Sequence, residues 1–347
     1  MRILQIITLC ELGGAQSVVA NIANALCENH EVIVASGEGD GKMWQMLDNR
    51  VTRVHLKSLK RELSFADDMR TLHDLRKLYR KYKPDIIHLH SSKAGMLGRL
   101  AFPANKIVYT VHGFDTIRLA HRQFLVLEKL MQYRCKSIVA VSEYDERNLI
   151  AESINRNVTT VYNGISAPVM PKDLSFGIPE KYKKVILCIA RTSYPKNHIL
   201  FIEVAKMLPQ YAFVWIGNKE EIPDTPENVF FLGNIQNAAM YCSIADMFML
   251  PSEYEGLPIV IIEAMSCGKP IVASNVGGIS ELVYNDVNGF VLDNKAELFA
   301  EKIEYILENE QVYDSMSKKS IEMYMKELTV DKMVDKYNEV YNKILNT

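Results

Sequence analysis

The sequence predicts an α/β protein built of two doubly wound, parallel-sheet domains in tandem. Short β-branched runs alternate with helix-like stretches from one end of the chain to the other. These runs show little apolar–polar alternation, as expected of strands covered on both faces by crossover helices. The pattern then restarts after a polar, proline-bearing stretch, SAPVMPKDLSFGIPEKYKK at 166–184. At 347 residues the chain is also too long for one ordinary hydrophobic core.

Taken in order, strands are expected at 3–8, 31–36, 51–56, 86–90, 106–111, 137–141 and 159–162. A helix at 17–26 follows the first strand, and another at 68–82 carries Met69, Leu72, Leu75, Tyr79 and Tyr82 at helical spacing. In the second half strands are expected at 184–190, 213–217, 229–232, 247–251, 270–274 and 289–292. The tail from Lys326 reads as helix, with Met333, Tyr337, Val340, Tyr341 and Leu345 roughly on one face. The division is a first domain at 1–168, a linker at 169–183 and a second domain at 184–327. The last helix, about 328–347, is expected to pack back on the first domain. Ligands of such sheets bind beyond the carboxyl ends of the strands, and two facing domains would put a cleft between them.

Composition narrows the class. A chain 48% hydrophobic and 24% charged is not disordered. No apolar stretch approaches the roughly 18 residues that cross a bilayer. The opening run, MRILQIITLCELGG, meets Glu11 and lacks a leader's long apolar region and cleavage site. Cys10, Cys27, Cys135, Cys188, Cys242 and Cys267 lie far apart with no C-x-x-C pair, the usage of reduced thiols in a cytoplasmic protein. Charge is uneven: residues 1–168 hold 23 Lys and Arg against 17 Asp and Glu, and the remainder holds 17 against 25. Residues 50–136 alone carry 19 against 7. Such a skew suits a basic surface facing a phospholipid membrane, a lipid pyrophosphate or nucleic acid; the alternative is a solvated face with no partner.

The segment richest in chemistry is LPSEYEGLPIVIIEAMSCGKPIVASNVGGISELV at 250–283. A buried strand runs into a loop carrying Glu253 and Glu255, and Gly256-Leu257-Pro258 opens a helix that ends at Gly268. A helix N-terminus at a strand's carboxyl end is a natural phosphate site. Glu263, inside that helix and flanked by Ile261, Ile262, Ala264 and Met265, is placed to accept hydrogen bonds from two ribose hydroxyls. An ordinary solvent carboxylate is the alternative, set against the expense of burying a charge. Arg191 and Lys196 follow the strand at 184–190, where a fork and a point charge can neutralise a diphosphate. Gly13 and Gly14 form a glycine loop after the first strand, but no G-x-G-x-x-G fingerprint is present. GEGDGK at 37–42 lacks Walker spacing and reads as a solvent loop. Histidines gather at strand ends: His88 and His90 in IIHLH, and His112 in TVHGFD. His88 reads as structural, and His112 as a hydrogen-bonding partner for a polar substrate. No D-x-D pair occurs, so charge neutralisation without a metal is expected, and no cofactor is called for.

Together these residues resemble the family-4 retaining glycosyltransferases, bacterial polysaccharide and lipid-linked saccharide type, over nearly the whole chain. The resemblance rests on GGAQ at 13–16, VHGFD at 111–115, VSE at 141–143, YNGI at 162–165, EAMSCGKPIVAS, GGISELV and above all Glu255 paired with Glu263. It implies the GT-B fold of two facing Rossmann-like domains. It also implies that Glu263 holds the nucleotide ribose, that Glu255 contacts the transferred sugar, and that backbone from Gly256 through Leu257, Pro258 and Ile259 to Val260 meets sugar and diphosphate. Arg191 and Lys196 match the cations that stabilise the leaving phosphates, His112 a histidine near the donor sugar, and Gly14 a loop bordering diphosphate and acceptor. Where the family often has glycine before the arginine and after the lysine, this chain has Ala190 and Asn197; the common Gly-Phe-Gly is Gly256-Leu257-Pro258.

The implied reaction is sugar transfer with retention from a nucleotide-diphosphate sugar, UDP first and GDP next, to a saccharide hydroxyl. The leaving diphosphate accepts the proton, and domain closure excludes water. The acceptor is expected to be lipid-pyrophosphate-linked, in capsule or O-antigen synthesis, and no nucleic acid is expected as a partner. The enzyme is expected to be cytoplasmic and to approach the inner face of the membrane through Arg53, Lys57, Lys60, Arg61, Arg76, Lys77, Arg80 and Lys81. The readings it competes with are a GT-B-type sugar-nucleotide epimerase, a NAD-dependent oxidoreductase and a non-catalytic sugar-nucleotide binding module.

Overall fold

A computed structural model describes every residue except Met170, Lys172 and Thr347; the first two fall within the expected linker. The chain divides into two compact units, Met1–Gly164 with Val330–Thr347, and Ile165–Thr329.

The first unit carries strands β1 (Arg2–Ile7), β2 (Glu31–Ser36), β3 (Thr52–His55), β4 (Ile86–His90), β5 (Ile107–Val111), β6 (Ser137–Ala140) and β7 (Val158–Thr160). They form one parallel sheet in the order β3-β2-β1-β4-β5-β6-β7. Its helices are α1 (Gly14–Leu26), α2 (Phe65–Tyr82), α3 (Ser92–Ala101), α4 (Leu125–Met131) and α5 (Glu143–Ala151). The second unit carries β8 (Val185–Ile189), β9 (Ala212–Ile216), β10 (Val229–Phe231), β11 (Met247–Leu250), β12 (Ile271–Ser274) and β13 (Gly289–Leu292), a parallel sheet in the order β10-β9-β8-β11-β12-β13. Its helices are α6 (His198–Met207), α7 (Ile259–Ser266), α8 (Ala296–Leu307) and α9 (Glu310–Glu327); α10 (Val330–Leu345) completes the first unit.

All thirteen expected strands are present, with ends displaced by at most a residue or two. The helices differ more, because their ends are set by caps. Ser64 accepts a hydrogen bond from the Asp67 N–H at 3.3 Å, so α2 begins at Phe65 and not at 68. Helix α1 begins at Gly14, which draws the glycine loop into a helix N-terminus. The tail is not one helix: α9 ends at Glu327 and α10 starts at Val330. Met333, Tyr337, Val340 and Tyr341 are buried as their spacing requires, whereas Leu345 is 44% exposed in the last turn. Met69 likewise leaves the apolar face of α2 and is 50% exposed.

The two faces of the first sheet differ. Leu4, Ile6, Ile87, Leu89, Tyr109 and Val111 share an apolar core with Leu75 of α2 and Leu97 of α3. Alternation puts Gln5, His88, His90 and Thr110 on the opposite face, all fully buried. Helix α10, packed beside α1, satisfies part of this polar stripe. Tyr341 Oη lies 2.8 Å from His88 Nδ1, Thr110 Oγ1 lies 2.7 Å from His88 Nε2, and Tyr337 Oη lies 3.1 Å from Thr110 Oγ1. Buried polar atoms left unpaired are expensive, so these bonds pin α10 to β4 and β5.

Candidate active site

In each sheet the chain reverses direction of growth next to the first strand of the unit, between β1 and β4 and between β8 and β11. Crevices at such switch points, beyond the carboxyl ends of the strands, are where doubly wound sheets bind ligands. The predicted site residues fall there: Gly13 and Gly14 follow β1, Arg191 and Lys196 follow β8, and Glu255 follows β11.

In the second unit two loops are strapped together by backbone bonds, Asn197 N–H to Pro251 O at 2.8 Å and Glu253 N–H to Pro195 O at 2.9 Å. The strap brings Lys196 and Glu255 into contact: the ammonium donates to Glu255 Oε1, and Ser252 Oγ donates to the same oxygen at 2.6 Å. The pair is mostly buried, with side chains 17% and 11% exposed. The expected phosphate cation and the expected sugar carboxylate are thus paired with one another. Arg191 is exposed and makes no hydrogen bond or ion pair among the described residues. Asn197, where glycine is common in the family, has its own local work: its Oδ1 accepts from Leu200 N–H at 3.0 Å and caps α6, and its amide donates to Glu253 Oε1 at 2.8 Å.

Helix α7 starts after Pro258, so the N–H groups of Ile259 and Val260 have no intrahelical partner. The side chains of Leu257, Pro258 and Ile259 are buried, which leaves backbone as the means by which this turn meets an anion. Glu263 lies one turn further on, largely buried, and its carboxylate makes no hydrogen bond among the described residues. Burial pushes its pKa up to about 7.

Three supporting residues escaped the sequence reading. Gly277 has φ +58°, and a Cβ there would lie 1.8 Å from the Glu255 carbonyl oxygen, so only glycine lets the GGISELV turn close on the glutamate loop. Ser274 Oγ accepts from Ser252 N–H at 2.8 Å, and Asn294 joins it at 2.5 Å while donating to Ser252 O at 3.1 Å. The paired glycines of the motif were a usable signal for the first; Asn294, twenty residues from Ser274, offered none.

In the first unit Gly13 is extended (φ 176°), a conformation any residue adopts, and caps α1 with backbone alone. The switch point beside it is tied by Thr8 Oγ1 and Ser91 Oγ, 2.7 Å apart, with Ser91 held at φ +70°. His112 follows β5, half-buried, with its Nε2 3.0 Å from His90 Nδ1. His90 Nε2 lies 3.1 Å from Gln5 Oε1, and the rings of His88 and His90 are tilted at 40° with centroids 3.9 Å apart. Burial lowers the pKa of all three histidines, that of His112 to about 4. His88 is hydrogen-bonded at both nitrogens, in keeping with a structural role.

The eight cations expected to face a membrane do not form one patch. Lys57, Lys60 and Arg61 lie in the connection from the carboxyl end of β3 to the start of α2, and Lys60 is paired with Asp67 at 2.9 Å. Arg80 and Lys81 occupy the last turn of α2, roughly 22 Å along the helix axis, with Arg76 and Lys77 one turn before them. Arg53, inside β3, donates to Leu47 O at 2.7 Å. A sequence run becomes two clusters because α2 carries the chain back across the sheet. Beside the first cluster Leu63, Phe65 and Met69 are 68%, 85% and 50% exposed, an apolar group the sequence reading missed.

Comparison with known proteins defines the class. The Glycosyltransferase Family 4 domain matches residues 12–167, and the Glycosyl transferases group 1 domain matches 172–323. The protein is a glycosyltransferase made of these two domains, each a parallel-sheet Rossmann-like unit. Among relatives, the chain is 27% identical over 337 residues to the UDP-Gal:alpha-D-GlcNAc-diphosphoundecaprenol alpha-1,3-galactosyltransferase of Escherichia coli, covering 87% of this chain and 86% of that protein. It is 29% identical over 324 residues to the Escherichia coli O-antigen biosynthesis glycosyltransferase WbnH, covering 89% and 90%. In fold it is similar to Anabaena HepE, solved with UDP and glucose (TM-score 0.84, 21% identity, 98% of this chain and 99% of that one). The epimerase and oxidoreductase readings are not favoured.

Proposed function

We propose that this enzyme transfers a sugar from a UDP-sugar, with retention, to a hydroxyl of a lipid-diphosphate-linked saccharide in bacterial surface polysaccharide synthesis. The named activity of the galactosyltransferase relative supports this acceptor class and UDP as the nucleotide, and the O-antigen role named for WbnH supports the polysaccharide setting. The observation that carries the residue assignment is the strapped pair of loops holding Lys196 and Glu255 beside the free N-terminus of α7. On this reading Glu263 binds the ribose hydroxyls, the N–H groups of Ile259 and Val260 meet the diphosphate, and Lys196 and Arg191 stabilise it as it leaves. Glu255 is assigned to the transferred sugar, His112 to a sugar hydroxyl, and the departing phosphate oxygen takes the acceptor's proton. The protein contributes position and preorganised positive charge.

Ligand-induced thermal shift tests it, with UDP, GDP, ADP and NAD compared in EDTA. At one hundred times its dissociation constant a nucleotide adds about 2.7 kcal/mol, a readily visible rise in melting temperature. UDP is expected to give the rise, and Glu263→Ala to abolish it. A shift with NAD alone would sink the reading.

The approach to a lipid surface is assigned to the carboxyl-end cluster, Lys57, Lys60 and Arg61 with Leu63, Phe65 and Met69. Cations attract anionic headgroups while exposed apolar side chains enter the interface. No described helix is long and apolar enough to cross a membrane. Cofractionation with phosphatidylglycerol vesicles at low salt is expected, weakened by Phe65→Ser and unaffected by Lys81→Ser; absence of binding at low salt would overturn the assignment.

A further inference from the structure

Gln5, His90 and His112 form a hydrogen-bonded chain, and with the Gln5 amide oxygen toward His90 its protons have one arrangement. An amide oxygen only accepts, so His90 Nε2, 3.1 Å from Gln5 Oε1, carries the ring proton. His90 Nδ1 is then a lone pair, and His112 Nε2, 3.0 Å away, must donate to it. In a neutral ring that leaves His112 Nδ1 without a proton, and no described residue makes a hydrogen bond to it. The lowered pKa values keep these rings neutral near pH 7. The chain is also held in place: His90 is fully buried, its ring centroid 3.9 Å from that of His88, itself fixed by Tyr341 and Thr110.

We infer that Gln5 and His90 are positioning residues that fix His112 as its Nε2–H tautomer, so that Nδ1 meets the transferred sugar as the acceptor for one hydroxyl. This rests on the reading of His112 as a sugar contact. The reverse arrangement, with the Gln5 amide nitrogen toward His90, would turn every proton round and make His112 Nδ1 a donor. The two therefore differ in which sugar substituent is welcome: an acceptor nitrogen takes a hydroxyl and refuses a methoxy or fluoro group at the same carbon.

The test is selective ¹⁵N-histidine labelling with long-range ¹⁵N–¹H correlation, His112 being assigned by its loss in His112→Asn. The wild-type spectrum is expected to place the His112 proton on Nε2. His90→Leu removes the acceptor and is expected to give mixed tautomers with kcat reduced about tenfold, the value of one hydrogen bond, and an unchanged KM for the saccharide acceptor. His90→Asn keeps an oxygen where Nδ1 stood and is expected to retain both the tautomer and most of kcat. If His90→Leu does not fold, Gln5→Met makes the same comparison, and the wild-type spectrum decides by itself. A proton on His112 Nδ1, or an unchanged tautomer and kcat in His90→Leu, overturns the inference. Full activity in His112→Ala would instead remove the reading of His112 as a sugar contact while leaving the tautomer visible in the spectrum.

Discussion

Lys196→Ala is expected to lower kcat by about two to three orders of magnitude, the usual cost of removing one preorganised charge from a site where negative charge develops. The geometry adds a second reason for a large effect. Glu255 accepts from both Lys196 and Ser252 Oγ, so removing the ammonium leaves a mostly buried carboxylate held by a single hydroxyl. That carboxylate would then repel the incoming diphosphate as well as the departing one. Glu255→Gln in the Lys196→Ala background removes the repulsion and is expected to recover part of the donor affinity, though not kcat. A double-mutant cycle on initial rates and donor KM separates the two contributions. Lys196→Ala with wild-type kcat would show that charge at the leaving group comes from elsewhere.

The second large effect concerns pH and Glu263. Its folded-state pKa of about 7 lies above the ordinary 4.5, because burial disfavours the ionised form. The free protein therefore binds more protons than its unfolded chain between those values, and stability falls as pH rises from about 4.5 to 7. Above pH 7 the buried charge costs the unliganded fold up to roughly 3 kcal/mol. Glu263→Gln keeps the shape without the charge and is expected to raise the melting temperature at pH 8 but not at pH 4. A ribose offering two hydroxyls binds the carboxylate, so nucleotide binding should release a proton near pH 6 and weaken about tenfold per unit below pH 7. Calorimetry in buffers of different ionisation enthalpy reads the proton directly. Binding that is independent of pH between 5 and 8, or a Glu263→Gln protein less stable than wild type at pH 8, would show that this carboxylate is not a strained, waiting ligand.

Much of the fold was legible in the sequence. A buried parallel strand needs several consecutive apolar residues, and each expected run became a strand because nothing else can fill the middle of a doubly covered sheet. The positions of Glu255, Glu263, Arg191 and Lys196 in the fold were legible for a related reason, since Arg191, Lys196 and Glu255 lie in loops that follow a strand and Glu263 lies inside the helix after the Glu255 loop. Element boundaries were less so, because Ser64 and Gly13 decide them by capping, which depends on one side chain or on none.

Contacts between distant segments belong to the tertiary structure alone. The Lys196–Glu255 pair joins loops 59 residues apart, and Tyr341 reaches His88 across 253. Neither separation leaves a mark in local pattern. The basic run at 50–136 looked continuous in sequence, yet α2 carries Arg80 and Lys81 to the far end of the sheet from Lys60 and Arg61. Gln5 shows the contrast most plainly. In the sequence it is a polar break in an apolar strand, IIHLH holds two histidines, and TVHGFD holds one more. Only parallel registry, Gln5 beside His88 and His90 beside Thr110, sets these four residues on one buried face, at whose end His112 follows β5.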